Sequence, residues 1–196
     1  MAEEKRPETK NSWKKNVVLY LHDVILYLVM ICVVFLLVFR VVVVSGTSMN
    51  MTLLDGDYLL LVSNLFYGRP EPGDVIVASK ESYDDGAPVV KRVIATEGQT
   101  VDIINGVVFV DGVAIDEPYL QPGLSTHGGM VQFPQTVGEG CVFVLGDNRI
   151  NSRDSRYPEI GQIDQREILG RAIILFFPGT NRDQQDRDFS RIGGLD

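Results

Sequence analysis

The sequence predicts a mainly β domain preceded by one N-terminal transmembrane helix. Three observations carry this. An apolar span covers 17–39, short apolar runs alternate with Gly, Pro, Asn and Asp after it, and no long helical period occurs from Arg40 onward.

As a helix rising 1.5 Å per residue, the span is about 35 Å long, enough to cross a hydrocarbon core about 30 Å thick. A cleavable signal peptide would have an apolar region of about 7–15 residues, shorter than 24–39 alone, and a small-x-small site, which does not follow Phe39. Lys5, Arg6, Lys10, Lys14 and Lys15 precede the span, and only Arg40 follows it before Arg69. The positive-inside rule therefore expects 1–16 as a cytoplasmic tail and 40–180 as an extracytoplasmic domain. His22 and Asp23 are costly in hydrocarbon and are expected at headgroup level with Trp13 and Tyr20.

Beyond the span, the apolar runs give candidate strands at 41–44, 58–62, 75–78, 89–94, 101–104, 107–110, 141–145 and 171–176. Asn105-Gly106 and Asp111-Gly112 readily take positive φ, so the first joins two of these runs as a two-residue hairpin and the second can start another. Residues 121–136, rich in Gly, Pro and Thr, read as a surface loop or loose hairpin, and 181–196 are polar enough to be disordered. The formal net charge of −8 argues against binding a phosphate backbone, so nucleic acid is not an expected partner. Cys32 lies in the span and Cys141 outside it; no disulfide is expected, and both read as small core-type hydrophobes.

The residues that could do chemistry are few. A serine hydroxyl near neutral pH needs a base. Outside the span the only histidine, His127, sits among Thr126, Gly128 and Gly129 with no apolar frame, as a solvated loop residue would. Two lysines follow the span. Lys80 is in the polar turn Ser79-Lys80-Glu81-Ser82, whereas Lys91 is flanked by Val89, Val90, Val93 and Ile94. Strand alternation puts Val89, Lys91 and Val93 on one face, where burial would disfavour the charged amine and make it a base. Periodicity alone favours the ordinary alternative, a lysine whose stem packs while its tip reaches water. Ser48, in Ser45-Gly46-Thr47-Ser48-Met49, equally reads as part of an ordinary turn. The cluster from Gly146 to Arg156 is either a solvated loop or a paired Asp/Arg platform.

Taken together and in order, these segments resemble bacterial type I signal peptidases. The resemblance runs through Ser45-Gly46-Thr47-Ser48-Met49-Asn50-Met51-Thr52-Leu53, Gly56-Asp57, Pro72-Gly73-Asp74-Val75-Ile76, Lys91-Arg92-Val93-Ile94 and Gly146-Asp147-Asn148-Arg149 to Ser152, Asp154, Ser155 and Arg156. Glu117-Pro118-Tyr119 and Gly170-Arg171-Ala172 extend the match, which covers roughly 41–178. Each segment alone is weakly specific, but five in order after one anchor are very specific.

The resemblance implies a signal-peptidase-type β catalytic domain that cuts signal peptides from exported preproteins, with the bilayer as its other partner. It makes Ser48 the nucleophile, Lys91 the general base, and Ser152 the serine that orients the lysine amine. Asp154 and Arg156 match a structural ion pair, and Asp147, Asn148 and Arg149 support the site. The backbone N–H of Ser48 is one oxyanion donor. Where some members place a second, two positions earlier, this chain has Gly46. Met49, Val89 and Val90 would line shallow pockets for small side chains, and neither a metal nor an organic cofactor is implied. Two further departures are Met51, where a proline is usual, and Ala95-Thr96-Glu97-Gly98-Gln99, where Gly-Leu-Pro-Gly-Asp is usual; both bear on loop shape rather than on the reacting atoms. A β-domain that merely tethers a partner would not need these reacting residues. A self-cleaving Ser/Lys regulator would need a DNA-binding domain and a cleavable linker where the span stands.

Overall fold

The computed structural model describes residues 9–180 and 186–195. Helix α1 spans Thr9–Val38, and its stretch Trp13–Val38 is long and apolar enough to cross a membrane. The helix starts before the predicted span because Lys10, Lys14 and Lys15 are good helix formers, so hydropathy marks the apolar segment rather than the first turn. Of the expected tail 1–16, residues 9–16 are thus helical, while 1–8 lie outside the described residues. Phe39 is not helical but opens the first strand.

The domain after α1 is mainly β. Its strands are β1 (Phe39–Val43), β2 (Tyr58–Ser63), β3 (Val75–Ser79), β4 (Pro88–Thr96), β5 (Thr100–Ile104), β6 (Val107–Val110), β7 (Val113–Ala114), β8 (Gln135–Thr136), β9 (Cys141–Leu145), β10 (Ile163–Asp164), β11 (Ile168–Phe177) and β12 (Gly193–Gly194). A four-residue helix, α2 (Asn64–Tyr67), follows β2. All eight expected strands are present, 107–110 and 141–145 with the expected bounds and the other six with ends moved by at most three residues. The larger sheet runs β1-β2-β11-β3-β4-β9-β10, with β12 on β11, and a smaller one runs β7-β6-β5-β8. Every pairing is antiparallel.

Turn chemistry fixes the hairpins. Asn105 and Gly106 have φ of 51° and 83°, and Asp111 and Gly112 have 52° and 78°, the paired positive values of a primed turn whose twist matches the strands it joins. Residues 121–136 are irregular until β8, as a surface loop should be, yet they are tied in. The N–H of buried Thr126 donates to Gly106 O at 2.9 Å.

Burial follows the strand pattern on both faces of the larger sheet. Met49, Leu53, Leu59, Leu61, Val77 and Leu175 form one core cluster, and Ile76, Val93, Val144, Ile160 and Ile163 another. A third, including Ile94, Val101, Val108 and Phe143, joins the two sheets. Each such side chain contributes about 1.5–3 kcal/mol when fully buried, so β4, which supplies all three clusters, is held rigidly. Cys141 is half-buried at the start of β9, and Cys32 is exposed on α1; both are free thiols.

The expectation of disorder from 181 onward needs correction over 186–195. That segment makes a bridge between Arg187 and Thr180, a 3-10 turn at Phe189–Arg191 and β12. Its polarity misleads because few apolar contacts hold it. Arg191 pairs with buried Asp57, and the Arg187 guanidinium lies 4.6 Å from the centre of the Phe177 ring. Residues 181–185 and 196 lie outside the described residues.

Candidate active site

Ser48 lies on the loop between β1 and β2, on a turn anchored by its neighbours. Met49 (2 % exposed) and Leu53 (0 %) plug into the core. The amides of Thr52 and Leu53 both donate to Met49 O, at 3.0 and 2.9 Å. Gly46 takes φ 92°, a conformation that costs glycine little, and its N–H donates to Asp55 Oδ1 at 2.8 Å. The half-buried Ser48 is thereby held on a fixed backbone.

Lys91 comes to it from β4, opposite Ile76 of β3. The lysine is 3 % exposed, so the ordinary alternative of a tip reaching water does not hold. Its Nζ is 2.8 Å from Ser48 Oγ and donates to Val90 O at 2.8 Å. Burial lowers the amine's pKa from 10.5 to about 8, against the opposing pull of the Asp154 and Asp147 charges. A fraction of this lysine is therefore neutral near physiological pH and can take a proton.

The segment after β9 is a platform of paired charges rather than a solvated loop. Asp147, fully buried, is gripped by Arg92 through Nε (3.0 Å) and Nη2 (2.8 Å) and accepts from Thr52 Oγ1 at 2.5 Å. The Arg92 guanidinium also lies 3.9 Å from the Tyr119 ring centre. Asp154 and Arg156, 0 % and 1 % exposed, form a two-point pair with both contacts at 2.8 Å. Asp154 Oδ2 further receives Gly146 N–H at 3.0 Å. Arg149 Nη1 donates to Thr126 Oγ1 at 2.7 Å, and both its terminal nitrogens hold Glu117. Asn148 reaches the Ser48 turn directly: its N–H donates to Ser48 O at 3.0 Å and its Nδ2 to Thr47 O at 3.0 Å. Such pairs are affordable in the interior only when both partners are satisfied, and here they fix the floor beneath Ser48.

A cleft of about 320 Å³ opens over the pair, lined among others by Ser48, Met49, Val89, Val90 and Lys91. Beside it, β4 pairs with β3 over 88–92 but with β9 only from Arg92, leaving the other edge of 88–91 without a strand among the described residues. Also among the described residues, no three His, Cys, Asp or Glu side chains converge as a metal-ligand set.

Residues 17–177 match the family model described as signal peptidase, peptidase S26. The chain belongs to this family. It is 38 % identical to a probable signal peptidase I-1 of Synechocystis over 72 % of each chain. To signal peptidase I of Bacillus amyloliquefaciens it is 32 % identical over 91 % of its own length and 96 % of the relative's. A crystal structure of a signal peptidase I from Enterococcus faecalis aligns with TM-score 0.45 at 31 % identity, covering 54 % of this chain and 97 % of that one. Membership makes the chain a serine peptidase, a hydrolase.

Within this peptidase, Ser48, Lys91, Met49, Val89 and Val90 line one cleft, which the 147–156 cluster reaches through Asn151 and Arg153. His127 does not: it is an exposed loop residue whose backbone carbonyl accepts from Arg156. Ser152 differs from expectation. It is 8 % exposed, yet its Oγ has no hydrogen-bond partner among the described residues, so the orienting bond to Lys91 is not formed; Val90 O, on the lysine's own strand, takes that N–H. Ser152 instead lies against Gly146, where an added Cβ would come within 2.2 Å of its Oγ and 2.5 Å of Ser48 O. Met51 has φ 119°, which a proline ring excludes, so its departure from the family pattern goes with a different backbone. Residues 95–99 close as a turn, with Gln99 Oε1 accepting from Thr96 N–H at 2.9 Å. Sequence reasoning assigned no role to Arg92, Thr52 or Glu117. The unlike charges at Arg92 and Asp147 were visible, but nothing in one sequence aligns them.

Proposed function

We propose that this chain is a membrane-anchored signal peptidase I, acting through a Ser48/Lys91 dyad on signal peptides of exported preproteins. The observation that carries the reading is the contact of 2.8 Å between Ser48 Oγ and a lysine amine buried to 3 % exposure. In its neutral form that amine takes the Ser48 proton as Oγ attacks the scissile carbonyl. It returns the proton to the leaving amine as the C–N bond breaks, leaving an acyl ester on Ser48. Water, deprotonated by the same amine, then releases the acyl group and restores the serine.

The supporting residues have distinct tasks in this scheme. The Ser48 N–H donates to the developing oxyanion; the Gly46 N–H is already bound by Asp55. Once protonated, Lys91 has three N–H groups, and we assign the third acceptor to Ser152 Oγ, which is buried and has no hydrogen-bond partner among the described residues. The Asp154–Arg156 and Arg92–Asp147 pairs hold the two strands' ends beneath the dyad. An extended substrate can pair with the open edge of β4 over 88–91, which places its small side chains against Met49, Val89 and Val90.

The excess of basic residues before the apolar helix supports an orientation with the N-terminus in the cytoplasm and the catalytic domain outside it. Incubating the purified full chain in lipid vesicles with preproteins and sequencing the new N-termini tests the proposal. Single cuts after small-x-small sites are expected. Cuts scattered through mature regions, or none, would contradict it.

A further inference from the structure

We infer that Arg191, on the segment after β11, is a positioning residue that sets the nucleophile turn through Asp57 and the Thr52 carbonyl; the inference rests on the Ser48/Lys91 reading. Asp57 is fully buried at the end of the loop that carries Ser48. Its Oδ2 accepts from Leu54 N–H at 2.7 Å, and its Oδ1 from Gly179 N–H at 2.6 Å. Arg191 completes the set with Nη1 to Oδ1 at 3.0 Å and Nη2 to Oδ2 at 2.6 Å. The Asp57 backbone ties the start of the same loop, since its carbonyl accepts from Val44 N–H at 2.8 Å. One residue thus joins both ends of the loop to the segment after β11, its carbonyl tying Val44 and its carboxylate tying Leu54, Gly179 and Arg191. Without the guanidinium it would be a buried charge facing only two neutral donors.

The second tie points at the nucleophile itself. Arg191 Nη2 also donates to Thr52 O at 3.3 Å. The other polar groups of Thr52 set the site: its N–H closes the turn on Met49 O, and its Oγ1 holds Asp147. The segment that carries Arg191 is held in turn. β12 pairs with β11, Leu195 packs against the cluster containing Met49 and Leu53, and Asp188 Oδ1 accepts from Ser190 N–H at 3.0 Å. Arg191 touches no reacting atom, so it affects turnover only through where it holds Ser48 relative to Lys91. A lysine would supply the charge but not the planar fork that reaches two carboxylate oxygens and a carbonyl together.

The test uses the full chain in detergent and a short soluble peptide with small side chains at the first and third positions before the cut. Arg191→Ala is expected to lower kcat by about tenfold or more with KM changed by less than about twofold, since a displacement of about 1 Å at reacting atoms can cost about a hundredfold. The folded fraction at assay temperature, followed by circular dichroism, should match wild type, and Arg191→Lys should recover part of the rate. Phe189→Ala, on the same segment as Arg191, loses a ring contact to Phe177 of β11 but leaves the fork, and should keep its kcat. An unchanged kcat in Arg191→Ala, a loss that tracks unfolding, or an equal loss in Phe189→Ala would overturn the inference. Where Arg191→Ala fails to fold, the folded Arg191→Lys decides: reduced kcat supports the inference, and wild-type kcat overturns it. If Ser48→Ala cleaves like wild type the dyad reading has failed, whereas an inactive Ser48→Ala beside a normal Arg191→Ala sinks this inference alone.

Discussion

At the scale of the residue, Lys91 illustrates a trade between stability and chemistry. Its folded-state pKa of about 8 lies below the unfolded value of 10.5. Between these values the unfolded chain binds more protons, so stability rises with pH across that window, and the full penalty is present below about 8. At 1.36 kcal/mol per unit the penalty is roughly 3 kcal/mol. Lys91→Met should therefore be inactive yet more stable than wild type at pH 7, with the gain shrinking toward pH 10.5; denaturant melts at the two pH values measure it, and a destabilised variant at pH 7 would contradict the argument. Ser48→Ala removes one half-buried hydroxyl and should abolish cleavage while leaving the melting temperature nearly unchanged. Ser152→Ala should lower kcat by less than loss of either dyad member, because it removes an acceptor for the ammonium and no reacting group. The residue types were legible from sequence, since Val89, Val90, Val93 and Ile94 flank Lys91. Its burial was not, because the cover over it comes from Ser48 and the 146–156 platform, far away along the chain.

At the scale of the element, the site depends on how closely the strand β9 exit and the nucleophile turn approach each other. Gly146 has no room for a side chain: a Cβ would meet Ser48 O at 2.5 Å. Gly146→Ala should push the turn off the platform and cut kcat strongly even where the fold survives, which steady-state kinetics beside circular dichroism will show. Asp154→Ala leaves Arg156 as a buried, unpaired charge and should cost about 3–5 kcal/mol of stability, read from denaturant unfolding. The eight longer strands were readable because each is a short segment rich in apolar residues between turn signals, even where Lys91-Arg92 and Asp102 interrupt the run. β7, β8, β10 and β12 have two residues each, too few for any period to register. The segment 186–195 escaped for a related reason, being held by Arg191 on a buried aspartate rather than by an apolar face.

At the scale of the whole molecule, the anchor and the peptidase domain are consecutive in the chain, and the nine residue steps from Phe39 to Ser48 span at most about 30 Å when extended. We propose that this keeps Ser48 near the bilayer surface, where a preprotein's apolar segment presents the residues that follow it. Deleting 1–38 should then spare cleavage of a short soluble peptide and reduce that of membrane-embedded preproteins, through lost local concentration and orientation. Equal losses on both substrates would show that the anchor also supports the site's fold. The order of segments along the chain made this architecture legible, whereas no single segment did. The central claim is that a buried, largely desolvated Lys91 activates Ser48, and the pH dependence of kcat/KM for the full chain tests it most directly. The account predicts a tenfold rise per pH unit that levels off near pH 8 and is abolished in Lys91→Arg, whose guanidinium stays protonated. A profile without the rise toward pH 8, with Lys91→Arg still active and His127→Ala inactive, would contradict it.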